Sequence, residues 1–430
     1  MSRIFWINIY RLIIFPLIYI SAHTGALFSK KVRIVLKKKY SVVRELRKWL
    51  EENHEDAPKY IIFHAASLGE YEHIRPVLFK LNRQFDSRNI VTFFSPSGLQ
   101  NVRTGNGVHY TTYMPFDTFS QWGKIYRLVK PVMVVIAKHD VWPAQIWSAR
   151  DHNIPVFLIN ASLSSRSTRA KFPFGRILSI VYRDFNEIMT ISEEDKERFQ
   201  KYFSGLNLKV CGDTKYDQVL LRMEQARQDP PLNMQWRKGK IIFAAGSIWP
   251  EDEEHLLPAL TQLLKKQDKF QIILVPHQPT DAAVNRLEKY FAEQNPQRFS
   301  NLHDRNPQSR VVIVDQIGYL AGLYLLADMA YVGGSFKQGI HSTMEAAVYG
   351  IPVIYGPVHK NSYEAVKLIE CGGAFPVRNR KEIFTTVTQL LTNADLMART
   401  GKNARTYALE NTGATENLIQ AWSELLKGKN

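Results

Sequence analysis

In the stretch FHAASLGEYEH, residues 63–73, the carboxylate of Glu70 stands behind Ala65, Ala66, Ser67 and Gly69, so almost no side chain shields it. Small residues between an apolar run and a helical-looking segment let backbone approach a ligand, and a helix N-terminus favours anions. Such a carboxylate has the chemistry of a general base, and equally that of an ordinary acid in a first helical turn. A second constellation is YVGGSFKQGIHSTMEAAVYGIPVIYGP, residues 331–357. There Gly333 and Gly334 open backbone amides to a phosphate, and a helix beginning near His341 to Thr343 turns its positive end to the same space. Glu345, in that first turn, suits two ribose hydroxyls. The alternative is glycines needed only for tight turns beside an acid at a helix start.

The elements that must hold these residues repeat one pattern: a short β-branched or aromatic run, a small or polar turn, then a longer amphipathic stretch. Expected strands are 60–65, 90–95, 132–137, 155–160 and 187–192, and again 240–247, 270–277, 310–316, 329–335 and 351–357. Alternation of this kind predicts parallel sheets with helices on both faces. Ser192 followed by Asp195 reads as a capping box. Around 224–240 the apolar period fades and Pro230 and Pro231 appear, the composition of a linker. The expected architecture is therefore α/β, with two doubly wound halves whose strand ends face one cleft.

Composition narrows the class. A chain of 430 residues with 45% hydrophobic residues folds into more than one unit. The net charge of +16 is uneven: residues 1–50 hold eleven Lys or Arg and one acid, Glu45. Residues 12–29 carry no Lys, Arg, Asp or Glu, and Lys30, Lys31, Arg33, Lys37, Lys38 and Lys39 follow. An apolar segment beside a basic one points to an anchor in a membrane with anionic lipids, the body staying cytoplasmic. A cleaved signal peptide is the rival reading. The basic run lacks the stacking aromatics of a nucleic-acid platform. Two cysteines, Cys211 and Cys371, make neither a disulfide framework nor a zinc site.

An ordered series of motifs then adds a resemblance. HAASLGE, FFSPSG, YMPFD, Trp142-Pro143, NASLSSRS, SEEDKERF, DTKYD, AAGSIWPEDEE, ILVPHQP, LADMAYVGGS and GIHSTMEAAVYGIPVIYGP run from the N-terminal segment to beyond residue 350. They resemble the bacterial Kdo transferases, glycosyltransferases of the GT-B class that move 3-deoxy-D-manno-octulosonic acid (Kdo) from CMP-Kdo onto the lipid A precursor. The resemblance implies two Rossmann-like domains behind an anchor, divided as 1–40, 41–225 and 226–430, with the last helix able to pack back on the N-terminal domain. It implies an enzyme on the cytoplasmic face of the inner membrane, with CMP-Kdo as donor substrate and no separate cofactor or metal.

The resemblance makes Glu70 the base that takes the acceptor's proton while Kdo leaves CMP with inversion. Lys215 becomes the cation that offsets charge on the departing phosphate, as electrostatics requires. CMP contacts carry over to Pro276, His277, Ile317, Gly318, Tyr319, Ser342, Thr343, Met344 and Glu345. The chain departs from the family at four places. Lys138 in AKHDVWP replaces a glutamate and would meet an anionic substrate as a cation. His277 replaces an arginine, Ser342 an asparagine and Ser162 an arginine. Two rivals stand beside this reading: another GT-B enzyme, either a lipid-linked glycosyltransferase or a nucleotide-sugar epimerase, and a catalytically silent binding protein. The acids of PEDEEH, residues 250–255, read as a helix start rather than a metal site.

Overall fold

Parallel strands buried on both faces need nearly continuous apolar runs, and this chain supplies two sets of them. In the computed structural model, which describes residues 3–53, 59–164 and 174–427, they form two seven-stranded sheets. The end of the NASLSSRS motif, Ser165 to Ser167, lies outside the described residues. The first sheet comprises β1 (Lys59–Ala65), β2 (Ser87–Phe93), β3 (Tyr110–Tyr113), β4 (Met133–Ala137), β5 (Val156–Ala161), β6 (Glu187–Thr190) and β7 (Leu208–Val210). The second comprises β8 (Ile241–Ile248), β9 (Phe270–Pro276), β10 (Gln297–Arg298), β11 (Val311–Ile313), β12 (Met329–Val332), β13 (Val353–Tyr355) and β14 (Ala374–Pro376). Their orders are β3-β2-β1-β4-β5-β6-β7 and β10-β11-β9-β8-β12-β13-β14.

All ten expected strands are present. The four that sequence reasoning did not place in a sheet, β3, β7, β10 and β14, are the four edges. An edge strand is covered on fewer sides, so it needs no apolar run and tolerates polar residues or a proline such as Pro376. Contacts divide the chain into two compact units, Met1–Gln218 with Gly413–Asn430, and Val219–Thr412. The division falls inside the helix Thr214–Gln228, upstream of the Pro230-Pro231 segment.

In the first unit, alternate residues of each strand enter opposite cores, as a period of two demands. Ile62, Ile90, Val134 and Ile136 join Trp122, Tyr126 and Trp147 on one face. Ile61, Phe63, Val91 and Val135 join Ile74 and Leu78 on the other, where Leu418 and Trp422 of the final helix Ala414–Lys427 complete the layer. Asp217 caps that final helix by accepting from Gly413 N and Thr415 N.

The N-terminal apolar helix runs from Arg3 to Phe28 and passes through a π-helical turn at Tyr10–Ile14. One face is docked on the first unit. Arg3 Nε donates to Asp184 at 3.0 Å, and Tyr10 Oη donates to Asp117 at 2.6 Å. Tyr19 packs on Phe116 with ring centres 5.2 Å apart. The opposite face leaves Leu12, Leu17, Ile20 and Leu27 exposed.

Candidate active site

Ligands of doubly wound sheets bind beyond the carboxyl ends of the strands, where strand order reverses. In the first unit that reversal lies between β1 and β4. Glu70 follows the end of β1, and Lys138 and Asp140 follow the end of β4. Ser67 is extended, with φ −145° and ψ 173°, and opens the helix Leu68–Phe85. This brings the Glu70 carboxylate back over the turn, where Oε2 accepts from Ala66 N at 2.5 Å.

That bond is the ordinary use of a first-turn acid, but the surroundings are not ordinary. Glu70 is half-buried, and burial pushes its pKa above the usual 4.5; the Ala66 amide, His64 and Lys138 pull down while Asp140 pushes up. A carboxylate of raised pKa is a stronger proton acceptor. His64, wholly buried in β1, is fixed between Thr92 Oγ1 and Asp140 Oδ2, each at 2.9 Å. Burial would raise the pKa of Asp140, but the hydrogen bond and charge of His64 bring it below the usual range. Lys138 adopts φ +58°, a conformation costly for a residue with a side chain and common at functional sites.

Lys215 stands in the first turn of the helix Thr214–Gln228, which follows β7. Thr214 donates to the backbone carbonyl of His73, and its amide donates to Asn160 Oδ1 at 3.2 Å. His73 lies one turn beyond Glu70 on the same helix. Its Nδ1 is 3.3 Å from Asp213 Oδ1, and Lys215 Nζ is 3.3 Å from Asp213 Oδ2. Although burial opposes it, the bond from His73 and the Lys215 charge hold Asp213 at about 2. The helix start that carries Lys215 is therefore tied to the helix of Glu70.

In the second unit the order reverses between β8 and β12. A Cβ on Gly333 would lie 2.2 Å from the carbonyl oxygen of Ser247, and one on Gly246 would lie 2.2 Å from Tyr324 Oη. Gly333 thus lets backbone meet backbone at the floor of the switch point, and Gly246 leaves space for the Tyr324 and Leu320 side chains. Asp252 closes the turn by accepting from Trp249 N at 2.9 Å, Gly334 N at 2.7 Å and Tyr331 Oη at 2.8 Å. The acid that reads as a helix-start residue thus also holds the glycine loop. Gly333→Ala places a methyl group against immovable backbone, and overpacking of that kind costs roughly 1–3 kcal/mol. A melting temperature equal to wild type would contradict it.

His277, Trp249 and His341 stack there. Ring centres are 4.3 Å apart for Trp249 and His277 and 4.5 Å for the two histidines, and Trp249 Nε1 donates to His341 Nε2 at 2.9 Å. Burial lowers the pKa of both imidazoles, and the neighbouring His277 lowers that of His341 further. From their ordinary value near 6.5 down to the lowered one, the unfolded chain binds more protons than the folded chain. Stability is therefore complete above about pH 6.5 and declines as pH falls through that window. Melting temperatures from neutral to mildly acidic pH should show this decline, and His341→Gln should flatten it.

The other carried-over positions fall into two groups. Pro276 ends β9 in the core, while Ile317, 86% exposed, Gly318 at φ +98° and the half-exposed Tyr319 form a loop after β11. Ser342 is exposed; Thr343 and Met344 are buried, and Thr343 Oγ1 has no hydrogen-bond partner among the described residues. Three expectations need correction. The amides of Gly333 and Gly334, expected to be open to a phosphate, donate to Gly246 O at 2.8 Å and to Asp252 Oδ2 at 2.7 Å. The helix expected to start near His341 to Thr343 begins at Met344 and ends at Ala347, a single turn, because Gly350 and Pro352 follow at once. A helix that short has little dipole to offer a phosphate. Glu345 is not simply open to a ribose, since its Oε1 accepts from Arg222 Nη1 at 2.6 Å.

Sequence reasoning passed over His64, His73, Asp213 and Arg222 as site residues. His64 alone left a local signal, an imidazole inside an otherwise apolar parallel strand, which must find partners when buried.

Residues 37–218 match the family described as 3-deoxy-D-manno-octulosonic-acid transferase (Kdo transferase). The chain is similar to a 3-deoxy-D-manno-octulosonic acid transferase of Haemophilus influenzae, 28% identical, covering 84% of this chain and 86% of the relative. It is similar to the enzyme of that description from Aquifex aeolicus, 28% identical over 76% of this chain and 85% of the relative. In fold it is similar to the UDP-GlcNAc 2-epimerase of Neisseria meningitidis, with TM-score 0.57, 16% identity and coverage of 86% and 100% of the two chains. It is also similar to a glycosyltransferase of Rickettsia africae, with TM-score 0.53, 13% identity and coverage of 87% and 100%.

Proposed function

We infer, from the premise that this chain belongs to the bacterial Kdo transferases, enzymes of GT-B fold, that it moves Kdo from CMP-Kdo onto a lipid A precursor with inversion. The observation that carries this reading is Glu70, a half-buried carboxylate of raised pKa at the switch point of the first sheet. A sugar hydroxyl is a weak nucleophile, and a carboxylate in hydrogen-bond reach removes its proton as the new bond forms. The proton passes to Glu70 while the bond from Kdo to the phosphate breaks and its electron pair leaves with CMP. Lys215 and Lys138 offset the anionic charge of phosphate and Kdo carboxylate. The stacked His277 and the loop Ile317 to Tyr319 receive the donor, with Ser342 to Glu345 beside them. No cofactor is needed for a displacement of this kind.

The N-terminal helix is read as an anchor that lies in the membrane surface. What supports this is that its contacts with the first unit reach from Arg3 to Tyr19, about 24 Å at 1.5 Å per residue. A helix held to one globular unit over that length leaves an apolar outer face for lipid.

The reading is tested by incubating the purified full chain with CMP-Kdo and a tetra-acylated lipid A precursor and measuring the mass of the lipid product. Increments of one or more Kdo are expected. Consumption of donor without any lipid increment would overturn the reading, and the increments also count the additions.

A further inference from the structure

Beside the candidate base, the first unit contains a cavity of about 310 Å³ walled by the N-terminal helix, the following helix Lys30–Glu52 and the loops after β2 and β3. Phe15, Ile18, Val35, Leu36, Phe94 and Trp142 line it. Several of its polar wall groups are already engaged. Asp117 accepts from Tyr10 Oη, Trp122 Nε1, Ala144 N and Gln145 N. Lys39 Nζ donates to Met114 O at 3.2 Å and sits 5.0 Å over the Phe94 ring. Tyr19 Oη is bonded to Tyr40 Oη. A polar guest would lose its water and find few partners in exchange, whereas an apolar guest gains the walls.

Two of those walls belong equally to the candidate active site. Phe94 and Trp142 stack with ring centres 5.4 Å apart, and Trp142 lies two residues beyond Asp140. Ser95, also in the wall, donates its amide to Ala66 O at 2.7 Å, in the turn that holds Glu70. The wall formed by the N-terminal helix has Leu17 and Ile20 exposed on its other side, and Lys31 of the next helix also borders the cavity. The cavity thus shares Ser95 and Trp142 with the neighbourhood of the carboxylate, and the N-terminal helix and Lys31 with an apolar surface flanked by basic residues.

We propose that this cavity receives one acyl chain of the glycolipid acceptor while the acceptor's sugar lies at Glu70. The proposal rests on the lipid-acceptor reading above and adds a recognition element to it. The enzyme then reads its acceptor partly by chain length: each methylene seated in the cavity strengthens binding by about fourfold, until the cavity is full.

The test uses the full chain in detergent with acceptor glycolipids that differ only in acyl length. The expected result is a KM that falls steeply with length and then levels off. For Ala22→Trp, which fills the cavity from the N-terminal helix, the preference in kcat/KM for long over short chains should shrink at least tenfold. A second measurement on the unaltered protein covers the case of a misfolded variant. A photoreactive group at the end of the acceptor's acyl chain should label Phe94, Trp142 or Val35.

Labelling confined to outward residues such as Leu12 and Leu17 would overturn the proposal. So would a chain-length preference that Ala22→Trp leaves intact, or a label displaced equally well by a plain diacyl phospholipid. In those outcomes Kdo transfer by the wild-type chain still stands. Absence of transfer to every acceptor would instead remove the underlying reading.

Discussion

Glu70→Gln should retain the fold and lose Kdo transfer by roughly 10²- to 10⁴-fold in kcat, the usual contribution of a positioned general base. The substitution keeps the shape of the side chain, and an amide oxygen still accepts from Ala66 N, so the helix start survives. What it removes is the ability to take a proton. Donor affinity should be unchanged, because the donor is assigned to the other unit. The pH profile gives an independent readout. Since burial raises the pKa of Glu70 above 4.5, kcat/KM should fall on the acid side through a value above 4.5. Lys138 lowers that pKa and Asp140 raises it. Lys138→Ala should therefore move the acid limb upward, and Asp140→Asn should move it downward. A Glu70→Gln enzyme that works within tenfold of wild type, or an acid limb indifferent to both neighbours, would remove the carboxylate from the mechanism.

Asp117→Ala should be the most destabilising single change in the first unit. The carboxylate is 3% exposed and accepts from Tyr10 Oη at 2.6 Å, Trp122 Nε1 at 2.8 Å, and Ala144 N and Gln145 N at 2.9 Å. Truncation strands four buried donors belonging to the N-terminal helix, the helix Phe119–Val129 and the helix Pro143–Asp151. The loss should be about 3–5 kcal/mol, which for a unit of this size lowers the melting temperature by on the order of 10 °C. Tyr10→Phe removes one of these bonds, together with the tie to the N-terminal helix, and should cost about 1.5–3 kcal/mol. Thermal unfolding of the two variants checks the ranking. Equal stability of Asp117→Ala and wild type would mean that water reaches the donors and that the network holds nothing together.

The sequence by itself determined the class of fold, because a parallel sheet buried on both faces must be written as apolar runs separated by helical stretches. It also determined the residues at the ends of those runs, since a strand that stops in Ala65-Ala66-Ser67 leaves room that larger side chains would fill, and one that stops in Gly333-Gly334 lets backbone approach closely. The edge strands were not legible, since a strand such as YTTY in β3 is covered on too few sides to need an apolar pattern.

Only the tertiary structure decided which residues stand together. His64 lies in β1 while Lys138 and Asp140 follow β4, distant in sequence and adjacent in the sheet, and Arg222, the partner of Glu345, and His73, the partner of Asp213 beside Lys215, come from elsewhere in the chain. Local pattern reports what a segment must bury. Hydrogen bonds, ion pairs and shifted pKa values depend on neighbours that strand order alone brings near.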